Sequence, residues 1–220
     1  MKILHIDSSM AGEHSISRAM SSLIVQQLLT AHQQDENQVI YHDLYAHPPS
    51  FLSAVAMKAV RSANLEGLSD KEQADVRAIH QAIDELFACD VLVIGVPMYN
   101  HTIPAVLHAW IDQICQAGKT FRYTETGPEG LVANKPIYIA SSRGGIYSTA
   151  ETLQYDQQEV FMKSILSLLG LQDIQIFRAE GIGLVEQREQ RLLAVQQQIQ
   201  AFSWGRNHQV QATSVPFMAE

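Results

Sequence analysis

Several features are missing from this sequence, and each absence excludes a class of protein. The 220 residues include 15 Lys and Arg against 23 Asp and Glu, which gives a formal charge of −8, and they contain no basic run. A field of that sign repels polyanions, so we expect no nucleic-acid partner. No apolar segment is long enough to cross a bilayer, and no signal-peptide pattern is present, so we expect no membrane association and a cytoplasmic location.

Cysteine and clustered metal ligands are also scarce. Cys89 and Cys115 have no CxxC spacing and lie in apolar surroundings, which predicts reduced core thiols and no disulfide. The nine histidines are scattered without an HxxxH pair, so we expect no metal site. Three motifs are absent as well: Gly-Lys-Ser/Thr, G-x-G-x-x-G and G-x-S-x-G. Their absence disfavours nucleoside triphosphate hydrolysis, a standard dinucleotide fold and an α/β-hydrolase.

The sequence does contain an alternation of strand and helix patterns. The apolar run that follows Asp90 is typical of a strand buried on both faces of a parallel sheet. Further strands are expected at 2–7, 39–44, 136–141 and 173–177, and helices at 17–32, about 54–61, 70–88, 104–117, 156–169 and 186–203, with a small hairpin excursion at 119–131. Since parallel neighbours need crossover helices, we predict an α/β fold with a doubly wound, five-stranded parallel sheet and helices on both faces.

The domain organisation follows from the same patterns. We predict one domain over residues 1–203 and a C-terminal tail over 204–220, where no periodicity is present. Within the domain, Ser69 and Glu72 have the spacing of a capping box at the start of a helix.

The loop after the first strand is rich in hydroxyl groups. Ser9, Ser15 and Ser17 precede or begin a helix, and Gly12 lies between them. A single serine at this place would be explained by N-capping alone. Three hydroxyls beside the free N–H groups of a helix start favour a bound phosphate.

Two further loops lie at the same edge of the predicted sheet. Open α/β sheets bind ligands at the carboxyl ends of their strands, where Met98, Tyr99 and Asn100 follow the central strand. The Gly144-Gly145 pair follows the next strand, and a lone pair of glycines would be a plain turn. Because the two loops are neighbours in the topology, we expect a planar ring between them.

A phosphate at one loop and a ring between two others describe a flavin mononucleotide site, and here the sequence resembles a known family. It is similar to the FMN-dependent NAD(P)H azoreductases and quinone reductases, which are flavodoxin-like. The resemblance covers Met1 to about Ser203 and includes, in order, Ser8-Ser9 with Ser15-x-Ser17, Pro97-Met-Tyr-Asn100, Thr120-Phe-Arg-Tyr-Thr-Glu-x-Gly-Pro-Glu-Gly-Leu131, Ser142-Arg-Gly-Gly145 and Ala179-Glu-Gly181. Each motif is weak alone, but their collinear order is specific.

The resemblance implies a set of cofactor-binding residues. The phosphate would be held by Ser9, Ser15, Ile16 and Ser17, and the ribityl and ring portions by Pro97, Met98, Tyr99, Asn100, His101, Ser142, Arg143, Gly144 and Gly145. Two positions depart from the family: His101 replaces a residue that is often Phe, and Ile16 stands where a polar residue is common. Because Ile16 can still donate its backbone N–H, the prediction of FMN is unaffected.

The resemblance also implies a reaction and an assembly. NADH or NADPH would donate two electrons to FMN, and a quinone or azo compound would then accept them in a ping-pong scheme by a homodimer whose subunits complete each other's sites. The flavin carries the chemistry, so no side chain is expected to be essential, and Tyr99, His101, Tyr123 and Tyr147 are candidates for shaping the pocket.

Two other classes of function stay open at this point. A flavodoxin-like electron carrier would bind FMN without turning over organic substrates, and the 119–131 excursion favours the enzyme over it. A non-flavin hydrolase would need a nucleophile or a metal cluster, and the sequence presents neither.

Overall fold

A computed structural model describes residues 1–32, 36–62 and 64–204. Its strands are β1 (Lys2–Asp7), β2 (Gln38–Asp43), β3 (Val91–Pro97), β4 (Phe121–Thr124), β5 (Gly127–Gly130), β6 (Ile137–Ser142) and β7 (Ile174–Ala179). Its α-helices are α1 (Ile16–Ala31), α2 (Ala54–Ser62), α3 (Asp70–Ala88), α4 (Ala105–Ile114), α5 (Gln157–Leu168) and α6 (Arg188–Ala201).

Five of the strands form one sheet in the order β2-β1-β3-β6-β7, and every pair in it is parallel. β4 and β5 form a separate antiparallel hairpin within the predicted excursion. The order reverses direction between β1 and β3, as in other doubly wound sheets, and ligands bind beside such a reversal. The predicted fold class is therefore confirmed.

Helices cover both faces of this sheet. On one face, α1 and α6 bury Ile24, Leu28, Val195 and Ile199 against the strands. On the other face, α3, α4 and α5 do the same with a second apolar cluster that includes Leu86, Leu107, Trp110, Met162 and Leu166. β3 lies at the centre, and all seven of its residues are buried. The carboxyl ends of β1, β3 and β6 thus share one edge with a rigid support behind them.

Gly95 in β3 is required by a close approach. A Cβ at this position would lie 2.2 Å from Oδ1 of Asp7 on the neighbouring strand. The glycine makes room for a buried carboxylate at the end of β1, directly below the ligand-binding edge of the sheet.

Most predicted boundaries lie within two residues of those in the structure, but the end of α4 and the start of the predicted tail differ for physical reasons. The sequence extends α4 to 117, but the helix ends at Ile114 because the Thr120 hydroxyl donates to the Ile114 carbonyl and accepts from the Gln116 amide. Trp204, the first residue of the predicted tail, is buried against Tyr138 and Phe177, so the packed domain includes it. The rest of the predicted tail, residues 205–220, lies outside the described residues. The capping box at Ser69 and Glu72 is confirmed.

Cys89 and Cys115 are both free thiols. Burial raises the pKa of Cys115 to about 12. None of the helices in residues 1–32, 36–62 and 64–204 has the length and apolar character needed to span a bilayer. Over the same residues, no group of three or more His, Cys, Asp or Glu is arranged to hold a metal ion.

Candidate functional site

The loop after β1 brings its hydroxyls to the start of α1. Ser15 is the N-cap residue, and its hydroxyl accepts a hydrogen bond from the Arg18 amide at 3.2 Å. The Ser17 hydroxyl lies 3.2 Å from that of Ser15 and is buried behind it. Ser8 donates to the Gly95 carbonyl at 2.8 Å, which ties the loop to β3.

Two backbone amides at this helix start remain free. Among the described residues, the N–H groups of Ile16 and Ser17 have no acceptor. The first N–H groups of a helix lack partners within the helix and carry the positive end of its dipole. The 16-residue helix α1 can therefore receive an anion at this end.

The loop after β3 is a tight two-residue turn. Tyr99 and Thr102 exchange backbone hydrogen bonds of 2.9 and 3.1 Å, and the residues between them, Asn100 and His101, have φ of 51° and 70°. Both left-handed residues are expected in this type of turn, although His at such a φ is strained. The strain falls at the site, which is where backbone strain is commonly retained.

Tyr99 connects this turn to the loop after β1. Its hydroxyl lies 3.2 Å from the Ser9 hydroxyl and accepts a hydrogen bond from the Met10 amide at 3.2 Å. Ser9 in turn accepts from the Ala11 amide. The first two loops are therefore one hydrogen-bonded unit.

The loop after β6 leaves backbone amides free on one side, because its carbonyls accept hydrogen bonds on the other side. The carbonyls of 143, 144 and 145 accept hydrogen bonds from the amides of 182, 183 and 181, at 3.3, 3.0 and 2.8 Å. The amides of Gly144, Gly145 and Ile146 have no acceptor within the part of the chain that the structure describes. Three successive N–H groups are thus available to a ligand.

These three loops enclose a cavity of about 210 Å³, called the loop cavity below. Its lining consists of Ser9, Ala11, His14, Ser15, Ile16, Pro97, Met98, Tyr99, Ser142, Arg143, Gly144 and Ile182. A Cβ added at Gly144 would meet no atom within 4 Å. Protein packing does not require glycine at this position, so the space beside its backbone is open to a ligand.

The other predicted site residues lie around the loop cavity or away from it. Asn100 and His101 are exposed in the turn after β3, and the His101 ring contacts Tyr147 edge-on with centroids 5.6 Å apart. The Tyr147 ring lies beside Gly145. Tyr123, on the hairpin, is 78% exposed and is not part of the cavity lining.

Arg143 contributes only its backbone to the loop cavity. Its side chain is 1% exposed and donates to Asp156 at 2.6 Å and Glu159 at 2.7 Å, with Glu180 at 3.3 Å. Arg178 also donates to Glu159. We call these five residues the Arg143 cluster. The resemblance placed Arg143 at the cofactor, and the residue does line the loop cavity, but its guanidinium is engaged in ion pairs within the protein.

The pKa values in the Arg143 cluster agree with a charged network. Burial alone would raise the pKa of Glu159, but the hydrogen bond from Arg178 and the charges of Arg178, Arg143 and Lys163 outweigh burial and lower it. The pKa of Arg178 is raised, chiefly by its hydrogen bond to Glu159. Glu159 and Arg178 are therefore both ionised at neutral pH.

A second buried network lies behind the loop after β1. The Ser21 hydroxyl donates to Asp7 at 2.7 Å and lies 2.9 Å from Nε2 of His5, and the Tyr41 hydroxyl donates to the other Asp7 oxygen. Burial, and then the charge of Asp7, raises the pKa of Tyr41 to about 12. Arg18 extends the network through a 2.6 Å ion pair with Asp43.

Sequence reasoning missed several residues of the site. His14 and Ile182 line the loop cavity, and Glu180 accepts a hydrogen bond from the Tyr147 amide at 3.1 Å. The Ala179-Glu-Gly181 motif, noted for the resemblance, was the available signal for Glu180, and it ends one residue before Ile182. His14 had no such signal, because only the short 3-10 helix at Gly12–His14 brings it to the cavity.

Comparisons with known proteins agree with this geometry. A family model described as having a flavodoxin-like fold matches residues 1–202. The chain is 47% identical over 205 residues to an FMN-dependent NADH:quinone oxidoreductase of Azospirillum brasilense, a match covering 92% of this chain and 98% of the relative. It is 44% identical to the enzyme of the same name from Rhizobium meliloti (strain 1021), covering 88% and 92% of the two chains.

A solved structure gives the same result. The crystal structure of an azoreductase from Bacillus anthracis superposes with a TM-score of 0.80 at 26% identity, covering 90% of this chain and 96% of the other. The chain therefore belongs to the flavodoxin-like family that includes these FMN-dependent NADH:quinone oxidoreductases.

Proposed function

We propose that this protein is an FMN-dependent NADH:quinone oxidoreductase that also reduces aromatic azo compounds. The observation that carries the proposal is the loop cavity, which offers free backbone amides at two separate ends. Relatives at 44 and 47% identity bear the first activity in their names, and the azoreductase of Bacillus anthracis supports the second. FMN, when bound, supplies two-electron transfer between the nicotinamide donor and the acceptor.

The start of α1 suits the phosphate of FMN. The free N–H groups of Ile16 and Ser17 and the hydroxyls of Ser9 and Ser15 provide donors without a competing carboxylate in the cavity lining. Ile16 departs from the polar residue common in the family, but the donor it offers is its backbone N–H. Ser17 would contribute its amide, since its hydroxyl is buried and lies 3.2 Å from that of Ser15.

The loop after β6 suits the polar edge of the flavin ring. Amides of Gly144 and Gly145 would donate to ring oxygen and nitrogen atoms, and they would stabilise negative charge that the ring acquires on reduction. Met98 and Tyr99 line the same cavity from the loop after β3. The absence of a side chain at Gly144 lets the ring approach the backbone.

No side chain is assigned an essential acid or base role. Tyr99 joins two loops through its hydroxyl, whereas the rings of His101 and Tyr147 form an edge-on pair beside Gly145. Their proposed task is to shape the space over the ring, where donor and acceptor would bind in turn. Tyr123, exposed on the hairpin, could serve the site only from another subunit.

We also propose that the active form is a homodimer. The loop cavity, at about 210 Å³, is small beside ligand pockets of roughly 300–1,000 Å³. Three loops of one chain thus enclose only part of a flavin with its substrate. Light scattering after size exclusion would give a dimeric mass, and a monomer with full activity would refute this part.

Two rival functions are disfavoured by particular observations. Ser21, His5 and Asp7 resemble a hydrolase triad in composition, but Ser21 is 0% exposed and donates its proton to Asp7, so it cannot reach a substrate. A simple electron carrier is disfavoured because the relatives are named as quinone oxidoreductases.

The proposal can be tested with purified protein loaded with FMN. We expect a yellow protein whose absorption near the flavin maximum bleaches on addition of NADH and returns on addition of a quinone, with multiple turnovers. Bleaching and recovery once per protein, without steady-state turnover, would favour the electron carrier. If calorimetry detects no binding of FMN, the proposed function is wrong.

A further inference from the structure

We propose that Glu180 is a positioning residue that fixes the amide of Tyr147. By doing so it sets the distance between the loops after β3 and β6, where the flavin ring would bind. This inference rests on the proposed function, because it concerns the ring end of the same loop cavity. Glu180 does not itself line the cavity, so its proposed effect on the ring passes through the residue that it positions, Tyr147.

The hydrogen bonds of Glu180 single it out within the Arg143 cluster. One oxygen, Oε1, accepts from the Tyr147 amide at 3.1 Å and from Arg143 Nη1 at 3.3 Å. Arg143 has shorter contacts with Asp156 and Glu159, at 2.6 and 2.7 Å. The guanidinium is already well paired without Glu180, whereas Tyr147 has no other acceptor for its amide among the described residues.

Residues 181–183 hold the earlier part of the same loop. Their amides bind the carbonyls of 143–145, so that the amides of 144–146 stay free. Gly181 has φ of +65°, and a Cβ there would come within 3.1 Å of both Arg191 and Ile146. The segment from Glu180 to Gly183 therefore fixes the backbone of the loop after β6 through successive hydrogen bonds. Glu180 makes the bond to the last residue of this series, Tyr147.

Tyr147 connects the loop after β6 to the loop after β3. Its ring lies 3.1 to 3.2 Å from where a Cβ of Gly145 would be and meets the His101 ring edge-on with a centroid separation of 5.6 Å. His101 belongs to the strained turn after β3. Fixing the Tyr147 backbone therefore fixes an aromatic contact between the two loops that would hold the ring.

The role requires a hydrogen-bond acceptor and does not require a charge. Glu180→Gln keeps an oxygen for the Tyr147 amide but removes the ion pair with Arg143, whereas Glu180→Ala removes both. The matched control is Glu186→Ala, which removes an exposed glutamate six positions along the chain. Comparing the three variants separates positioning from charge balance.

The experiment measures dissociation constants of FMN and riboflavin by fluorescence quenching, and hydrogen exchange of residues 144–149 in FMN-free protein. We expect Glu180→Ala to weaken both flavins to a similar extent, by roughly tenfold, as for the loss of one buried hydrogen bond. Exchange at the Tyr147 amide should accelerate. Glu180→Gln should remain within about threefold of wild type, and Glu186→Ala should match wild type.

Several results would overturn the inference. If Glu180→Gln is as impaired as Glu180→Ala, the residue acts through its charge and the positioning role is wrong. Unchanged flavin affinity and unchanged Tyr147 exchange in Glu180→Ala would reject it too. Wild-type protein that binds no FMN would reject the proposed function instead, and the exchange measurement would still show whether Glu180 fixes the loop.

Discussion

The loops after β1 and β6 both line the loop cavity and both offer free amides, yet they are held in different ways. After β1, the Ser15 hydroxyl caps an amide only three residues ahead, and Ser9 accepts from an amide two residues ahead. After β6, Arg143 reaches Asp156 and Glu180, which lie 13 and 37 residues away. The helix start after β1 is capped locally, although Ser8 and Met10 of that loop also bond to Gly95 and Tyr99, whereas the side chain that anchors the loop after β6 is paired with distant parts of the chain.

The local and the long-range interactions also differ in how much free energy of unfolding their loss costs. Losing an N-cap hydroxyl such as that of Ser15 costs about 1 kcal/mol. Removing one partner of a buried ion pair leaves uncompensated charge and costs about 3–5 kcal/mol. Substitutions in the first loop should therefore change ligand binding with the fold intact, whereas loss of the Arg143 guanidinium should change the stability of the fold.

The largest effect is expected from Arg143→Met. The variant keeps an apolar chain of similar length but leaves Asp156, Glu159 and Glu180 without their shared cation, so the free energy of unfolding should fall by about 3–5 kcal/mol. Urea unfolding of FMN-free protein at pH 7 measures it. The control is Arg122→Met, which breaks an exposed pair with Glu129 and should cost less than about 1 kcal/mol. Equal losses in the two variants would contradict the comparison.

The same difference in range explains how much could be predicted from the sequence. The strand and helix pattern, the capping box at Ser69 and the serines before α1 depend on near neighbours, and periodicity or spacing reveals them. The Arg143 cluster joins residues from the loop after β6, from the end of β7 and the loop after it, and from the N-cap and first turn of α5, and no local pattern pairs them. The resemblance placed Arg143 at the cofactor, and no pattern in the sequence indicates that its side chain is buried in ion pairs.

A second prediction tests the loop after β1. Asp is as good an N-cap as Ser, so Ser15→Asp should fold normally while placing a negative charge where the phosphate would bind. Losing a charge-assisted hydrogen bond costs about 1.5–3 kcal/mol even before repulsion, so FMN affinity should fall by roughly a hundredfold or more. Riboflavin, which has no phosphate, should bind as it does to wild type.

Titration calorimetry with both flavins measures this selectivity. Ser22→Asp is the control, because it adds the same charge on an exposed position of α1 and should leave both affinities near those of wild type. If Ser15→Asp retains FMN as tightly as wild type, the phosphate does not bind at this helix start.

The smallest effect is the acid sensitivity of the Arg143 cluster. The pKa of Glu159 is lowered from its ordinary value of 4.5, so its stabilising contribution is complete above that pH and is lost as the pH falls through the folded-state pKa. Glu159→Gln should be less stable than wild type at pH 7, and the gap should narrow below about pH 4.5. Urea unfolding from pH 7 to pH 3 measures the gap.

For Glu129→Gln, in the exposed pair with Arg122, the gap should stay under about 1 kcal/mol throughout. A Glu159 gap independent of pH would mean that its carboxylate charge does not stabilise the loop after β6, and that hydrogen bonding alone holds it.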